Sequence, residues 1–176
     1  NRVIFLDNAS VGPLFAVQAA SQSYSPRYGL TSASLPNAMA ENVPATALAG
    51  ATGVGWLPAL DVFAADESTP TAAARTCREL NVKAGQGDVS RTGEAQQRLY
   101  CDELFFLQEA LARSKDLSTQ GLLAGVEALG AGFDSATTFT TRFAPGRHDG
   151  AASTRTFAFV DACRCFRYTA RPTTAG

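Results

Sequence analysis

The chain is 176 residues long and 45% apolar, and it carries 15 lysines and arginines against 16 aspartates and glutamates, a net charge of −1. That apolar content supports a packed core and excludes a disordered chain. The near balance of charge, with no lysine- or arginine-rich block, excludes the electrostatic footprint of a nucleic-acid binder, so no nucleic acid is expected as a partner. No apolar run approaches the ~18 residues of a spanning helix, and no basic segment leads into an apolar one at the N-terminus. The sequence opens at Asn1 and enters a strand-like run almost at once, as would a chain whose first residues have been removed or a part of a longer protein.

Val3-Ile4-Phe5-Leu6, β-branched and aromatic, predicts a first strand. It breaks into Asp7-Asn8-Ala9-Ser10, and Pro13 to Ser21 then has helical periodicity. Strand, polar loop and helix in that order is how an α/β layer presents a ligand loop at a strand end. After the turn Tyr24-Ser25-Pro26-Arg27-Tyr28, Gly29-Leu30 reads as a second strand that dissolves into Thr31-Ser32-Ala33-Ser34. Asn37 to Leu48 is only weakly helical. Gly53-Val54-Gly55-Trp56-Leu57-Pro58 reads as a third, buried strand stopped by proline, and Ala59 to Glu67 as a loop.

Thr69-Pro70 predicts a helix start, the threonine hydroxyl accepting from an orphan backbone donor and proline losing no needed bond, and the helix runs to about Val82. The glycines of Lys83-Ala84-Gly85-Gln86-Gly87-Asp88 interrupt it before the strongest helical segment, Glu94 to Arg113, with Leu104, Leu107 and Leu111 in one apolar stripe. Ser118 or Thr119 caps a further helix whose Leu122, Val126 and Leu129 share a face and which Gly130 and Gly132 stop. Thr137 to Phe143 and Thr154 to Tyr168 read as strands flanking the turn-rich Pro145-Gly146-Arg147-His148-Asp149-Gly150, a closing hairpin. The order predicts an α/β fold: three layers, a mostly parallel sheet flanked by helices, and a C-terminal antiparallel hairpin.

Cys77, Cys101, Cys163 and Cys165 make no pair of C-x-x-C motifs and there is one histidine, so no metal site is expected. Cys77 and Cys101 fall on separate predicted helices. They form either a bridge, stabilising by roughly 3 kcal/mol in an oxidising compartment, or two buried thiols. Cys163 and Cys165, two apart on a strand, are either a reducible bridge needing a distorted backbone or two thiols beneath a helix.

Asp7, Asn8 and Ser10 sit where strand polarity projects a loop into a crevice, and their side chains either orient a small polar solute or cap the next helix. Thr31, Ser32 and Ser34 either touch that solute or satisfy turn backbone. Trp56 is either a cleft wall or core. His148, Asp149 and Ser153 lie too close together in a turn-rich segment for a triad, and no G-x-S-x-G elbow occurs, so no catalytic residue and no cofactor are assigned. A thiol-dependent α/β enzyme is the competing reading; it requires Cys163 or Cys165 to be activated beside Arg164 or His148.

Five stretches carry a family resemblance: Val3 to Ser34, the Tyr24-to-Tyr28 turn within it, Gly53 to Pro58, Tyr100-Cys101-Asp102 opening the long helix, and Arg147-His148-Asp149-Gly150 through Cys163-Arg164-Cys165-Phe166-Arg167-Tyr168. Together they resemble the carboxy-terminal lobe of type 1 periplasmic binding proteins, the branched-chain amino acid and amide binders of ABC importers. The resemblance implies that residues 1–176 are a single α/β lobe of a two-lobe protein, with 137–169 as terminal hinge and hairpin strands and an N-terminal lobe missing. It further implies a small polar solute, such as an amino acid or amide, held in an inter-lobe cleft and delivered to a membrane permease. The protein would be extracellular or periplasmic, with a signal peptide and lipoprotein anchor in the parent; a receptor's sensing domain on the same fold is the alternative. Branched-chain binders supply an aromatic residue from the loop after this lobe's first strand and an acidic one from the next loop. Here those loops read Asp7-Asn8-Ala9 and Thr31-Ser32-Ala33-Ser34, so the second lacks the acid, which argues against an ordinary α-amino acid. Residue reading and resemblance together give the candidate ligand set Asp7, Asn8, Ala9, Ser10, Thr31, Ser32, Ser34, Trp56, Tyr100 and Asp102, the last being either a ligand contact or simply a stabilising acid in the first turns of a helix.

Overall fold

The computed structural model describes residues 1–6, 11–63, 70–169 and 173–174. Two compact units make up the chain: Asn1–Glu67 with Thr154–Thr173, and Ser68–Ser153 with Thr174–Gly176. The polypeptide therefore leaves the first unit and returns to it.

The first unit contains β1 (Arg2–Ile4), α1 (Val11–Ser21), β2 (Arg27–Thr31), a 3-10 turn over Ser32–Ser34, α2 (Pro36–Asn42), α3 (Ala45–Leu48), β3 (Thr52–Gly55) and α4 (Pro58–Asp61). The returning chain adds β4 (Ser153–Val160), β5 (Cys165–Tyr168) and the two-residue β6 (Thr173–Thr174). The sheet runs β1-β2-β3-β4-β5, with β6 paired to β4. The pairs β1–β2 and β2–β3 are parallel, each joined through helix; β3–β4 and β4–β5 are antiparallel. The α/β class and the closing antiparallel hairpin hold, and the parallel part of the sheet is its first three strands.

Tyr28 and Leu30 alternate inward from β2 and join Phe5, Met39, Leu48, Val62, Phe157 and Phe166 in one core. Phe5 stacks on Tyr28 and Phe157 meets Phe166 edge-on. The α1 helix turns its small face, Gly12, Ala16 and Ala19, inward and leaves Leu14 and Val17 exposed. The third strand is shorter than the Gly53-to-Pro58 run predicts and not buried throughout: Thr52 and Val54 face out and Gly55 faces in. Gly53 is opposite Phe157, and a Cβ there would come within 2.3 Å of the ring, so the aromatic side chain fills the volume a strand residue would take. Asn37 to Leu48 forms two short helices, and the stretch read as a loop from Ala59 begins inside α4.

The second unit is helical: α5 (Ala72–Lys83), α6 (Arg91–Arg113) and α7 (Thr119–Glu127), followed by a long loop. Thr71, rather than Thr69, caps α5, its hydroxyl accepting from the Ala74 N–H. Ser90 caps α6 and Ser118 caps α7 in the same way. Tyr100 and Asp102 consequently lie mid-helix, and Glu94 is the acid of the first turn. The aromatic rings of Phe106, Phe133 and Phe143 pack with Ala110, Val126 and Leu129, as the shared face of Leu122, Val126 and Leu129 anticipates. The leucine stripe of α6 has the opposite fate. Leu104, Leu107 and Leu111, together with Tyr100, are exposed, and the helix buries Ala95, Arg98 and Ala110 instead. Residues 137–143 form no strand; Thr141 bridges Ala151 and Ala144 bridges Arg147, with Gly146 and Gly150 at positive φ in the turns. The hairpin is β4–β5, closed at residues 161–164.

Both cysteine pairs are bridged, Cys77 to Cys101 between α5 and α6 and Cys163 to Cys165 at the hairpin tip. Cys163 has left the strand for the turn and Arg164 takes a φ of 50°, which is the distortion a two-residue bridge demands.

Candidate functional site

The strands β2, β3 and β5 point the same way, so Thr31, Gly55 and Tyr168 end at one edge of the first unit's sheet, the edge where open α/β folds hold ligands. Arg155, paired with Gly55 across β3–β4, lies at the same level. Its guanidinium carbon sits 4.0 Å above the Tyr168 ring, a cation–π stack.

The hydroxyl run after β2 wraps into the 3-10 turn. Ser34 Oγ accepts from the Thr31 N–H at 3.3 Å. Ser32 Oγ accepts from the N–H groups of Trp56 and Leu57 at 2.8 and 3.2 Å, tying the end of β2 to the end of β3. Both serines are fully buried, Ala33 is exposed, and Trp56 is half-buried beside them. Beneath this turn lies Asp61, 0% exposed, on a helix begun by Pro58. Its Oδ2 accepts from the Leu57 N–H and the Tyr168 hydroxyl, both at 3.1 Å, and Ser32 is hydrogen-bonded to the carboxyl as well. Oδ1 has no hydrogen-bond partner among the described residues. Burial pushes the carboxyl up to about 7, against the hydrogen bonds from Ser32, Tyr168 and Leu57, which pull it down. Gly55 makes room for it: a Cβ there would stand 2.1 Å from Oδ2.

The expected ligand residues divide between the units. Thr31, Ser32, Ser34 and Trp56 gather at the sheet edge of the first, and Tyr100 and Asp102 belong to the second. Asp7, Asn8, Ala9 and Ser10 lie outside the described residues. Tyr100 is exposed. Asp102 fastens α6 to the loop after α7, accepting from Ser135 Oγ and Thr137 Oγ1 at 2.9 Å and from the Ala136 N–H at 2.6 Å. It also lines a shallow depression of about 250 Å³ with Phe106, Phe133, Phe143 and His148. Burial raises its carboxyl above the ordinary value, opposed by those three bonds.

Asp61, Tyr168 and Arg155 escape the sequence reading. One signal was available for Asp61, a single charge enclosed by Pro58-Ala59-Leu60 and Val62-Phe63, since an isolated carboxylate in an apolar run is a buried one. Tyr168 and Arg155 reach the edge through hairpin register, which composition does not carry.

This architecture matches part of the fold of type 1 periplasmic binding proteins. No family model matches the chain, and neither does any curated protein. Among solved structures it resembles a branched-chain amino acid ABC transporter protein from Thermus thermophilus with bound valine, at 14% identity and a TM-score of 0.65, covering 100% of this chain and 46% of that one. A leucine-binding protein from Thermotoga maritima gives 12% identity, a TM-score of 0.61 and coverage of 96% and 43%. A type 1 periplasmic binding protein from Bordetella pertussis gives 15%, 0.58, and coverage of 99% and 45%. The chain thus spans somewhat less than half the length of each of these proteins.

Proposed function

We propose that this chain is part of a solute-capture protein of an ABC importer, and that the sheet edge formed by the Ser32 turn, Trp56, Tyr168 and Arg155 is one wall of its binding mouth for a small polar solute such as an amino acid or amide. The observation that carries this reading is the convergence of those groups, over a buried carboxylate, at the ends of three co-directed strands in a fold of this class. Capture needs no bond made or broken, and no residue is assigned a catalytic role.

An N-terminal lobe is the partner proposed for the second unit's bare α6 face, where Tyr100, Leu104, Leu107 and Leu111 form an exposed apolar stripe. Coverage of under half of each similar structure supports that choice of occupant. A membrane permease would receive the solute. The two disulfides favour an oxidising, extracellular or periplasmic location, with a lipoprotein anchor in the parent. A thermal-shift screen of the protein against amino acids, amides, short-chain acids and urea-like solutes tests the reading. A hit at 100 times its Kd stabilises by about 2.7 kcal/mol; no hit, together with turnover of an ester or disulfide probe, overturns it.

A further inference from the structure

A fully buried carboxylate with no ion-pair partner among the described residues is costly to keep, and in a fold that needs only packing it is more stably replaced by an apolar side chain. Asp61 is such a group, and it stands at the junction of four pieces of the sheet edge. Ser32 from the 3-10 turn, the Leu57 backbone after β3, and Tyr168 from β5 all bond to it, and Arg155 from β4 stacks on Tyr168. Of the other elements packed on α4, α2 carries one charge, Glu41, which is exposed.

We propose that Asp61 is a positioning residue of the solute mouth, holding the Ser32 turn against Trp56 and Leu57 while it is neutral and loosening that lip when it ionises. This rests on the reading of the sheet edge as a solute-binding wall. The neutral carboxyl keeps its acceptor role toward the Leu57 N–H and the Tyr168 hydroxyl through Oδ2, and its proton on Oδ1 costs less to bury than a full charge. Once ionised, the buried charge accepts from neutral donors, the Ser32 and Tyr168 hydroxyls and the Leu57 N–H; the cations on the adjoining strands are Arg155, stacked on the Tyr168 ring, and Arg167, which is exposed. Moving it toward water relieves the charge but unties the Leu57 contact, and with it the Ser32 bonds to Trp56 and Leu57. Solute capture then takes up a proton and weakens as pH rises.

The protein has a single tryptophan, Trp56, placed on this lip, so its fluorescence reads the switch without any solute. Between pH 5.5 and 8.5 the emission should change along one sigmoid centred near 7, the value to which burial lifts Asp61. Asp61→Asn should abolish the sigmoid. Tyr168→Phe, which removes a donor that lowers the carboxyl, should move the midpoint upward, and serves if Asp61→Asn does not fold. His148→Gln, in the second unit, should leave it in place. With a solute found by the thermal screen, Kd should rise from pH 6 to pH 8 in the protein and stay level in Asp61→Asn. A flat emission profile, or one shared by Asp61→Asn, overturns the role of Asp61 and leaves solute capture standing. A titrating lip with no hit in the thermal screen, together with turnover of an ester or disulfide probe, removes the capture reading instead.

Discussion

Alanine at position 55 would drive a methyl group into the Asp61 carboxyl, since the ideal Cβ lies 2.1 Å from Oδ2, 2.4 Å from Cγ and 2.8 Å from Oδ1. Ordinary contact begins at 3.4 Å, so the carboxyl must retreat by about 1.3 Å, the difference between those distances. That retreat lengthens the 3.1 Å bonds from the Leu57 N–H and the Tyr168 hydroxyl past the useful range. Overpacking costs about 1–3 kcal/mol and a weakened bond to a buried acceptor about 1–3 kcal/mol, while the stiffer unfolded chain returns about 0.4–1 kcal/mol. A net loss of about 3 kcal/mol is expected for Gly55→Ala. Urea unfolding followed by Trp56 fluorescence reads this loss in the first unit itself. The clash is with one side chain, so in an Asp61→Ala background the same substitution should cost under about 1 kcal/mol, a strong coupling in a double-mutant cycle. Equal cost in both backgrounds would refute the packing of Gly55 on Asp61.

The Asp61 carboxyl, at about 7 in the fold against an ordinary value of 3.8, binds its proton more tightly folded than unfolded. The stability it contributes is therefore complete below about pH 4 and is lost as pH rises through 7, an upper bound of about 4 kcal/mol. Chemical denaturation from pH 4 to 8 should show the difference between the protein and Asp61→Asn changing in that direction. Replacing Cys77 and Cys101 together by alanine should cost about 3.5 kcal/mol, from the unfolded-chain loop that the 24-residue separation closes, measured by loss of helical circular dichroism in urea. Asp102→Ala strands the donors of Ser135, Ala136 and Thr137 and should destabilise the second unit by about 2–3 kcal/mol in the same assay.

Local signals in the sequence reached most elements. A β-branched and aromatic run marked β1, the apolar stripe of the long helix placed the start of α6 three residues late, at Glu94 against Arg91, and the Ser118 cap placed that of α7. Errors arose where a local pattern had a second use. The Thr137-to-Phe143 run has strand composition, yet Ser135 and Thr137 bond to Asp102 and Thr141 Oγ1 donates to the Phe133 carbonyl, so side chains hold a loop where a ladder was expected. Periodicity found the leucine stripe of α6 but could not say which face packs; the Cys77–Cys101 bridge and the Ala110 contact turn the other face inward. At the candidate site, the hydroxyls of Ser32 and Ser34 were visible in sequence, whereas their inward bonds to backbone were one of two open readings. Asp61 stayed hidden because its importance lies in long-range partners, Tyr168 being 107 residues away.

The claim on which the rest depends is that a solute lies against the strand-end edge of the first unit. Backbone amide chemical shifts, recorded as a hit from the thermal screen is titrated in, test it most directly. The account predicts the largest changes at Thr31 to Ser34, at Trp56 and Leu57, and at Arg155 and Tyr168. Changes gathered at Arg2, Arg27 or Thr52, at the start of the parallel strands, or confined to the second unit, would contradict it.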